Sequence, residues 1–468
     1  MLAPFLRWEG NAEALKKTRS LLQKSVKLLP SNSSGWLHLA EVDFALGDRD
    51  SASHSYTQSA AQLPGRSPFL DEKRYEAQLI QAWAAFKNED WDQAVDHFRL
   101  GLFWGGENPT QSDEEAYFKS LAFQAKDDKT EFKPGIFSIL AGEQQTGIDL
   151  LKEELTNNNP QNNELVSLAY LYLAKGYSDL SDYENAEDAA IASVYLNPEN
   201  RLAIYSLLQI YQLNKDSGKA KEIEQKLNEI GPGFPLGLHS GSYHEDRPAR
   251  LPSGWTLVGY DLDETLLEDA HRLEALLWWQ APENIQPGEG FLPVGDYWIQ
   301  IQELTNLLPN PGMEWGLDEN GLPLGYDREF YGAPEDRLVV TTEQRSGSPT
   351  QVLAANNSTE VPSIALTSRL IQLDPLQVTL MAGWVKDEGS IANIGRNCWG
   401  REFQPGYPYY IGFPKTNERP KNSWIHLADL QQIVPGEKAE TCEVLLINFM
   451  AETPAMWDNV FWAVVETP

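Results

Sequence analysis

Hydrophobic positions along the chain follow two regimes. Up to Pro232 they recur three and four residues apart, in stretches broken by short turns with Gly or Pro. That is the period of helices that bury one face. Further on, apolar and polar residues alternate. Leu273, Ala275, Leu277 and Trp279 do so in "RLEALLWWQAP", and Val378, Leu380, Ala382 and Trp384 in "QVTLMAGWVK". Short runs such as "PYYIGFP", "SWIHLADL", "CEVLLINF" and "NVFWAVVE" follow between Pro, Gly and Asn turns. Period two with frequent turns predicts antiparallel strands. The stretch "GPGFPLGLHSGSYHEDRPARLPSGW" between the regimes reads as a linker.

The helical regime repeats itself. In "GWLHLAEVDFALGDRDSASHSYTQSAAQLP", Trp36, Leu39 and Ala40 share one face, Gly47 makes a turn, Ala52 and Tyr56 pack from a second helix, and Pro64 closes the unit. Small residues allow two helices to cross closely, and aromatics fill the space beside the crossing. Tyr170, Leu173, Ala174, Tyr177, Tyr183, Ala186 and Pro198 repeat the pattern, and Ala220 and Pro232 each follow Ala186 and Pro198 by 34 positions. A weaker unit holds Trp83, Phe86, Trp91, Ala94 and Phe98, whereas 110–160, with "EFKPGIFSILAGEQQ", departs from the pattern as a degenerate or expanded unit. The start reads as the second helix of a repeat whose first half is missing. These units resemble tetratricopeptide repeats, which implies an α-solenoid over 1–232 with a groove for a protein or peptide.

Composition narrows the function classes. The chain has 37 Lys+Arg against 68 Asp+Glu, a formal charge of -31, which repels phosphate backbones and anionic lipid. No nucleic-acid partner is expected. No apolar run is long enough to span a membrane and no signal peptide is visible, so no membrane insertion is expected. Two cysteines, Cys398 and Cys442, lack metal-site spacing; they form one disulfide or stay as two reduced core thiols.

"GYDLDETLL", Gly259–Leu267, resembles the nucleophile loop of haloacid dehalogenase phosphatases, with Asp261 as nucleophile and Asp263 as acid/base. That fold needs strands alternating with helices and a later acidic magnesium loop. Neither follows, so both aspartates are expected to be non-catalytic residues at a strand end.

Over 304–468 the sequence resembles galactose-binding-like jelly rolls used as carbohydrate-binding modules. "NLLPNPGMEWGLDENGLPLGY" matches their opening, "LQVTLMAGWVKDEGS" a middle strand and "WDNVFWAVVE" their last strand. The resemblance implies a structural calcium between Glu314 and Asp458, at opposite ends of the domain sequence. It also implies sugar contact by stacked aromatics, for which Trp399, Tyr407, Tyr409, Tyr410 and Trp424 are candidates. The segment 251–303 resembles β-modules appended to bacterial surface-polysaccharide glycosyltransferases and polymerases. It has too few strands for a sandwich and is expected to lean on the jelly roll or on the last solenoid helices.

The expected architecture is therefore multidomain α + β: an α-α superhelix over 1–232, a linker and short β-rich module over 233–303, and an antiparallel β-sandwich over 304–468. The expected function is a non-catalytic scaffold binding protein in its groove and polysaccharide on its jelly roll. The alternatives are a purely structural surface component, or the accessory part of a glycosyltransferase or polymerase whose catalytic portion is absent. The resemblance favours an extracytoplasmic or cell-surface location.

Overall fold

The computed structural model describes residues 12–61, 68–105, 110–127, 132–157, 162–236, 250–270 and 272–308, and then the strands of the C-terminal half with their flanking turns. The chain divides into two compact units, Met1–Leu180 and Ser181–Pro468.

The first unit is helical: α1 (Ala12–Leu28), α2 (Ser33–Ala45), α3 (Arg49–Ala61), α4 (Pro68–Lys87), α5 (Trp91–Gly105), α6 (Gln111–Gln124), α7 (Lys133–Leu140), α8 (Gln144–Asn157) and α9 (Asn163–Asp179). Each of α1–α8 packs on the next. Local chemistry starts the helices. The Asn32 side chain accepts from Gly35 N, and Thr110 with Asp113 forms a reciprocal capping box. Gly47 turns α2 into α3 at φ +80°.

One spacing runs through the helix pairs. Ala40 with Ala52, and Ala82 with Ala94, are fully buried residues twelve apart at the crossings. Gly135 and Gly147 stand at the same separation in α7 and α8, so the segment that departs from the repeat pattern is another helix pair. It crosses more closely than the alanine pairs. A Cβ at Gly147 would lie 2.5 Å from the Ile139 side chain and 2.7 Å from the Gly135 carbonyl. Gly147→Ala is therefore expected to lose about 2 kcal/mol, since the clash with backbone exceeds the roughly 1 kcal/mol gained in helix propensity. Chemical denaturation measures it, with Gly218→Ala, whose nearest neighbour atom is at 3.6 Å, as the control.

The second unit begins with helices α10 (Tyr183–Leu196), α11 (Arg201–Leu213) and α12 (Ser217–Ile230). These helices, the last of the expected solenoid over 1–232, lie in the same compact unit as the β half. Arg201, opening α11, donates to Gly231 O at 2.6 Å and to Asp261 of the β half at 3.1 Å.

Three antiparallel sheets follow. The first contains β1 (Phe234–Pro235), β2 (Thr256–Asp263), β3 (Arg272–Gln280), β4 (Leu292–Val294) and β5 (Tyr297–Thr305), in the order β1-β2-β3-β5-β4. A four-residue helix, α13 (Leu267–Ala270), links β2 to β3. The sandwich that follows contains β6 (Asp327–Phe330), β7 (Leu338–Arg345), β8 (Ser348–Leu353), β9 (Ser363–Thr367), β10 (Ile371–Gln372), β11 (Val378–Asp387), β12 (Ile391–Gly400), β13 (Tyr409–Gly412), β14 (Ile425–Gln432), β15 (Ala439–Phe449) and β16 (Ala455–Val465). Its sheets are ordered β14-β11-β16-β8-β7 and β13-β12-β15-β9-β6, with β10 also on β15.

The sheet β14-β11-β16-β8-β7 is the middle layer. Met381, Val385, Leu427, Trp457 and Trp462 pack inward on Ile394, Val444 and Leu446 of the other sandwich sheet. Leu380, Ala382, Ala428, Leu430, Phe461 and Ala463 pack the opposite way, on Leu257, Leu273, Ala275, Leu277 and Trp279 of the first sheet. Burial on both faces explains why β16 reads as a nearly unbroken apolar run. Each fully buried large side chain contributes about 1.5–3 kcal/mol, and several of them join the first sheet to the sandwich in one core. The expected short leaning module is a five-stranded sheet between the middle layer and helices α11 and α12, which meet β2 and β4. Residues 237–249 of the expected linker lie outside the described residues.

Cys398 and Cys442 sit directly opposite each other on β12 and β15 and form a disulfide, which decides the question left open by their spacing.

Candidate functional site

The aspartates of "GYDLDETLL" lie among the last three residues of β2. Asp261 accepts from Arg201 and, at 2.9 Å, from Trp278 Nε1. The strand β1 passes so close that a Cβ at Gly233 would run into the Asp261 carboxylate. Burial raises the Asp261 carboxyl pKa above its ordinary value, against the pull of Arg201, Trp278 and the Gly233 N–H. Desolvation therefore outweighs the ion pair, and charge as such contributes little. Asp261→Asn should cost under about 1 kcal/mol, whereas Asp261→Ala strands three donors and should cost about 3 kcal/mol. Thermal melts of both variants separate these effects. Asp263 accepts from Thr265 N at 3.0 Å, closing the turn.

The next residue of the motif, Glu264, reaches a denser constellation. His426 of β14, Trp384 of β11 and Asp458 of β16 are register partners on one rung of the middle sheet. A bulge produces this alignment. Two residues of β16, Asn459 at φ +46° and Val460, face Gly383 alone, so Asp458 and Phe461 share a face although strict alternation would separate them. Asn tolerates the left-handed backbone that the bulge requires.

Around this rung the polar atoms converge on Glu264. Its carboxylate accepts from Asn459 Nδ2 at 2.7 Å, Trp384 Nε1 at 3.0 Å and Arg345 Nη2 at 3.1 Å. Arg345 also donates from Nε to Asp458 at 2.6 Å, and its guanidinium lies 4.4 Å over the Trp384 ring. Phe234 of β1 stacks on His426 with centroids 4.4 Å apart and planes at 22°, while Trp384 meets the same imidazole edge-on at 4.8 Å. The buried Tyr260 hydroxyl lies 2.6 Å from His426 Nδ1.

Burial first and Arg345 second push the His426 pKa down to about 3, so the imidazole is neutral. Burial, then Glu264 and Asp261, raise the Tyr260 pKa well above its usual value, so the phenol keeps its proton. Glu264 Oε1 faces His426 Nε2 at 3.8 Å, which favours the proton on Nε2 and leaves Nδ1 to accept from Tyr260. That Nε2 is buried without a hydrogen-bond partner.

The residues expected to bind sugar stand elsewhere. Trp399, next to last in β12, is in register with Thr441, Tyr409 and Tyr410 lie on β13 opposite Arg396 and Gly395, and Trp424 is half-buried just before β14. The edge strands β13 and β14 of the two sandwich sheets run close to one another, which brings Tyr409, Tyr410 and Trp424 to one lateral edge. Tyr407 lies outside the described residues, as does Glu314 of the expected calcium pair. Asp458, its other member, already faces a cation, the Arg345 guanidinium. Among the described residues no group of three or more His, Cys, Asp or Glu is arranged to hold a metal ion.

No family model and no curated protein matches the chain. Among solved structures, it is similar to the enzymatically active domain of tailspike protein 4 of bacteriophage CBA120, at 13% identity over 30% of this chain and only 20% of that one, with a TM-score of 0.25. YrrB, described as a TPR protein with an unusual peptide-binding site, shows 14% identity over 45% of this chain and 91% of its own, with a TM-score of 0.20. The CBM22-1 xylan-binding domain of Paenibacillus barcinonensis Xyn10C shows 12% identity over 34% of this chain and 93% of its own, with a TM-score of 0.24.

Proposed function

We propose that the chain is a non-catalytic scaffold whose helical repeats hold a protein or peptide and whose sandwich holds a polysaccharide at its β13–β14 edge. The observation that carries the reading is how the tryptophans are sorted. Trp255, Trp278, Trp279, Trp457 and Trp462 are fully buried core, whereas Trp424 stays half-open where β14 meets the edge strand β13. A tryptophan left partly open at the edge where β13 and β14 run close suits the apolar face of a pyranose. The strongest catalytic motif of the sequence supports the absence of catalysis in this reading, because Asp261, Asp263 and Glu264 are all engaged in structural contacts. Cell-surface polysaccharide is the proposed ligand class, and the Cys398–Cys442 disulfide suits the oxidising setting in which such material is met.

A second reading, a purely structural module, is favoured by the first sheet, which packs on the face of the sandwich formed by β11, β14 and β16. Affinity gel electrophoresis of the full chain through soluble xylan, glucan, mannan and a uronic-acid polymer separates the two. Retardation by at least one polymer, reduced about tenfold in affinity by Trp424→Ala, is expected, in line with about 1.4 kcal/mol per stacked ring. Free migration through all four supports the structural module.

A further inference from the structure

The ring cluster at Glu264 is built like a ligand site, yet a side chain of this protein fills it. Phe234 stacks face to face on His426, meets Trp384 edge-on at 5.6 Å and 84°, and lies 5.6 Å from the Tyr260 ring. Phe234 is only partly buried, so it sits at the mouth of the cluster. Glu264, Arg345 and Asn459 supply acid, guanidinium and amide groups around these rings. The imidazole Nε2, on a side chain only 3% exposed, has no hydrogen-bond partner.

The segment carrying Phe234 is a short strap. It pairs with β2 through two residues only, Phe234 with Tyr260 and Pro235 with Gly259, and one further bond runs from Leu236 N to Val258 O. Its close approach depends on Gly233 and Gly259; a Cβ at Gly259 would come within 2.8 Å of Phe234 O and of Pro232. With the Gly233 N–H bond to the Asp261 carboxylate, these few bonds are what hold the strap on β2.

We propose that Trp384, His426, Tyr260, Glu264, Arg345 and Asn459 form a second sugar subsite, sized for one pyranose ring and kept closed by Phe234 as an internal surrogate ring. This rests on the reading of the sandwich as a polysaccharide binder, and it places a site away from the β13–β14 edge. A pyranose offers an apolar C–H face to stack where Phe234 stacks, and a rim of hydroxyls for Glu264, Asn459 and the unpartnered His426 Nε2. Because the open form is the minor one, apparent affinity is lowered by the fraction of molecules that are open.

Isothermal titration of the full chain with xylo-, cello- and manno-hexasaccharide tests this. Phe234→Ala is expected to bind at least one of them at least tenfold more tightly than the parent, and adding Trp384→Ala or Glu264→Gln should remove the gain. A folded Phe234→Ala with no gain for any hexasaccharide overturns the proposal, as does a gain that survives Trp384→Ala. If Phe234→Ala does not fold, hydrogen exchange of the parent decides. Faster exchange at the Leu236 amide in the presence of saturating hexasaccharide is expected; unchanged exchange overturns it. Gel retardation that depends on Trp424 but not on Phe234 removes this site and leaves the proposed function standing, whereas free migration of parent and Phe234→Ala alike removes both.

Discussion

Acidification from pH 6.5 toward pH 3 is expected to remove on the order of 5 kcal/mol of stability from the Ser181–Pro468 unit through one side chain, His426. The unfolded chain takes a proton on this imidazole near pH 6.5, whereas the folded one does so only at about 3. The stabilisation is complete above 6.5 and is lost as pH falls through that window, because protons bind the unfolded state first. The groups facing the ring are Arg345, whose charge opposes protonation, and Glu264 at 3.8 Å, with the Tyr260 hydroxyl on the other nitrogen. Asp261 works in the opposite direction, since its raised carboxyl pKa favours the folded state as it protonates, but only in the carboxylate range. Burial also lowers the His97 pKa, in the Met1–Leu180 unit, so the contribution of His426 between pH 7.5 and 5 is the difference between the parent and His426→Asn. The parent should approach a slope of about 1.4 kcal/mol per pH unit, and His426→Asn should lose most of it. A parent with flat stability over this range would show that the imidazole is not buried in its neutral form.

Reduction of Cys398–Cys442 is expected to cost up to about 4 kcal/mol, the loop-closure value for the sequence separation of 44. The closed loop contains Trp399, Tyr407, Tyr409, Tyr410 and Trp424, together with β13 and β14, the edge proposed to hold sugar. Melting the full chain with and without a phosphine reductant measures the effect, and Cys398→Ala combined with Cys442→Ala should reproduce the reduced midpoint. If both match the oxidised parent, the pair contributes nothing to stability.

The helices were legible because each pair carries its own evidence within a few tens of residues: small residues twelve apart, aromatics beside them, and a capped turn. The α7–α8 pair escaped because glycine fills both small positions, and glycine in a helix reads as a break rather than as the closest crossing. The alternation in β3 and β11 identified the faces that pack on each other, Leu273 to Trp279 against Val378 to Ala382. It could not say that they do, and so the module at 251–303 looked short of strands. The Glu264 constellation left no local trace. Its contacts join residues 81, 120 and 195 positions apart. One of its members, Asp458, is turned onto that face by a bulge at Asn459 that no period-two pattern announces. "GYDLDETLL" was legible as a strand end, but its acids act as the junction between helix α11, the first sheet and the sandwich.

The claim that this chain binds polysaccharide without cleaving it is tested most directly by following both events in one tube. The full chain is incubated with the four polysaccharides, and bound protein and newly formed reducing ends are measured over the same hours. The account predicts retention on at least one polymer, dependent on Trp424, with reducing ends no higher than in the polymer alone. Release of reducing ends by the parent that disappears in Glu264→Gln would contradict it and make the constellation on the middle sheet a catalytic site.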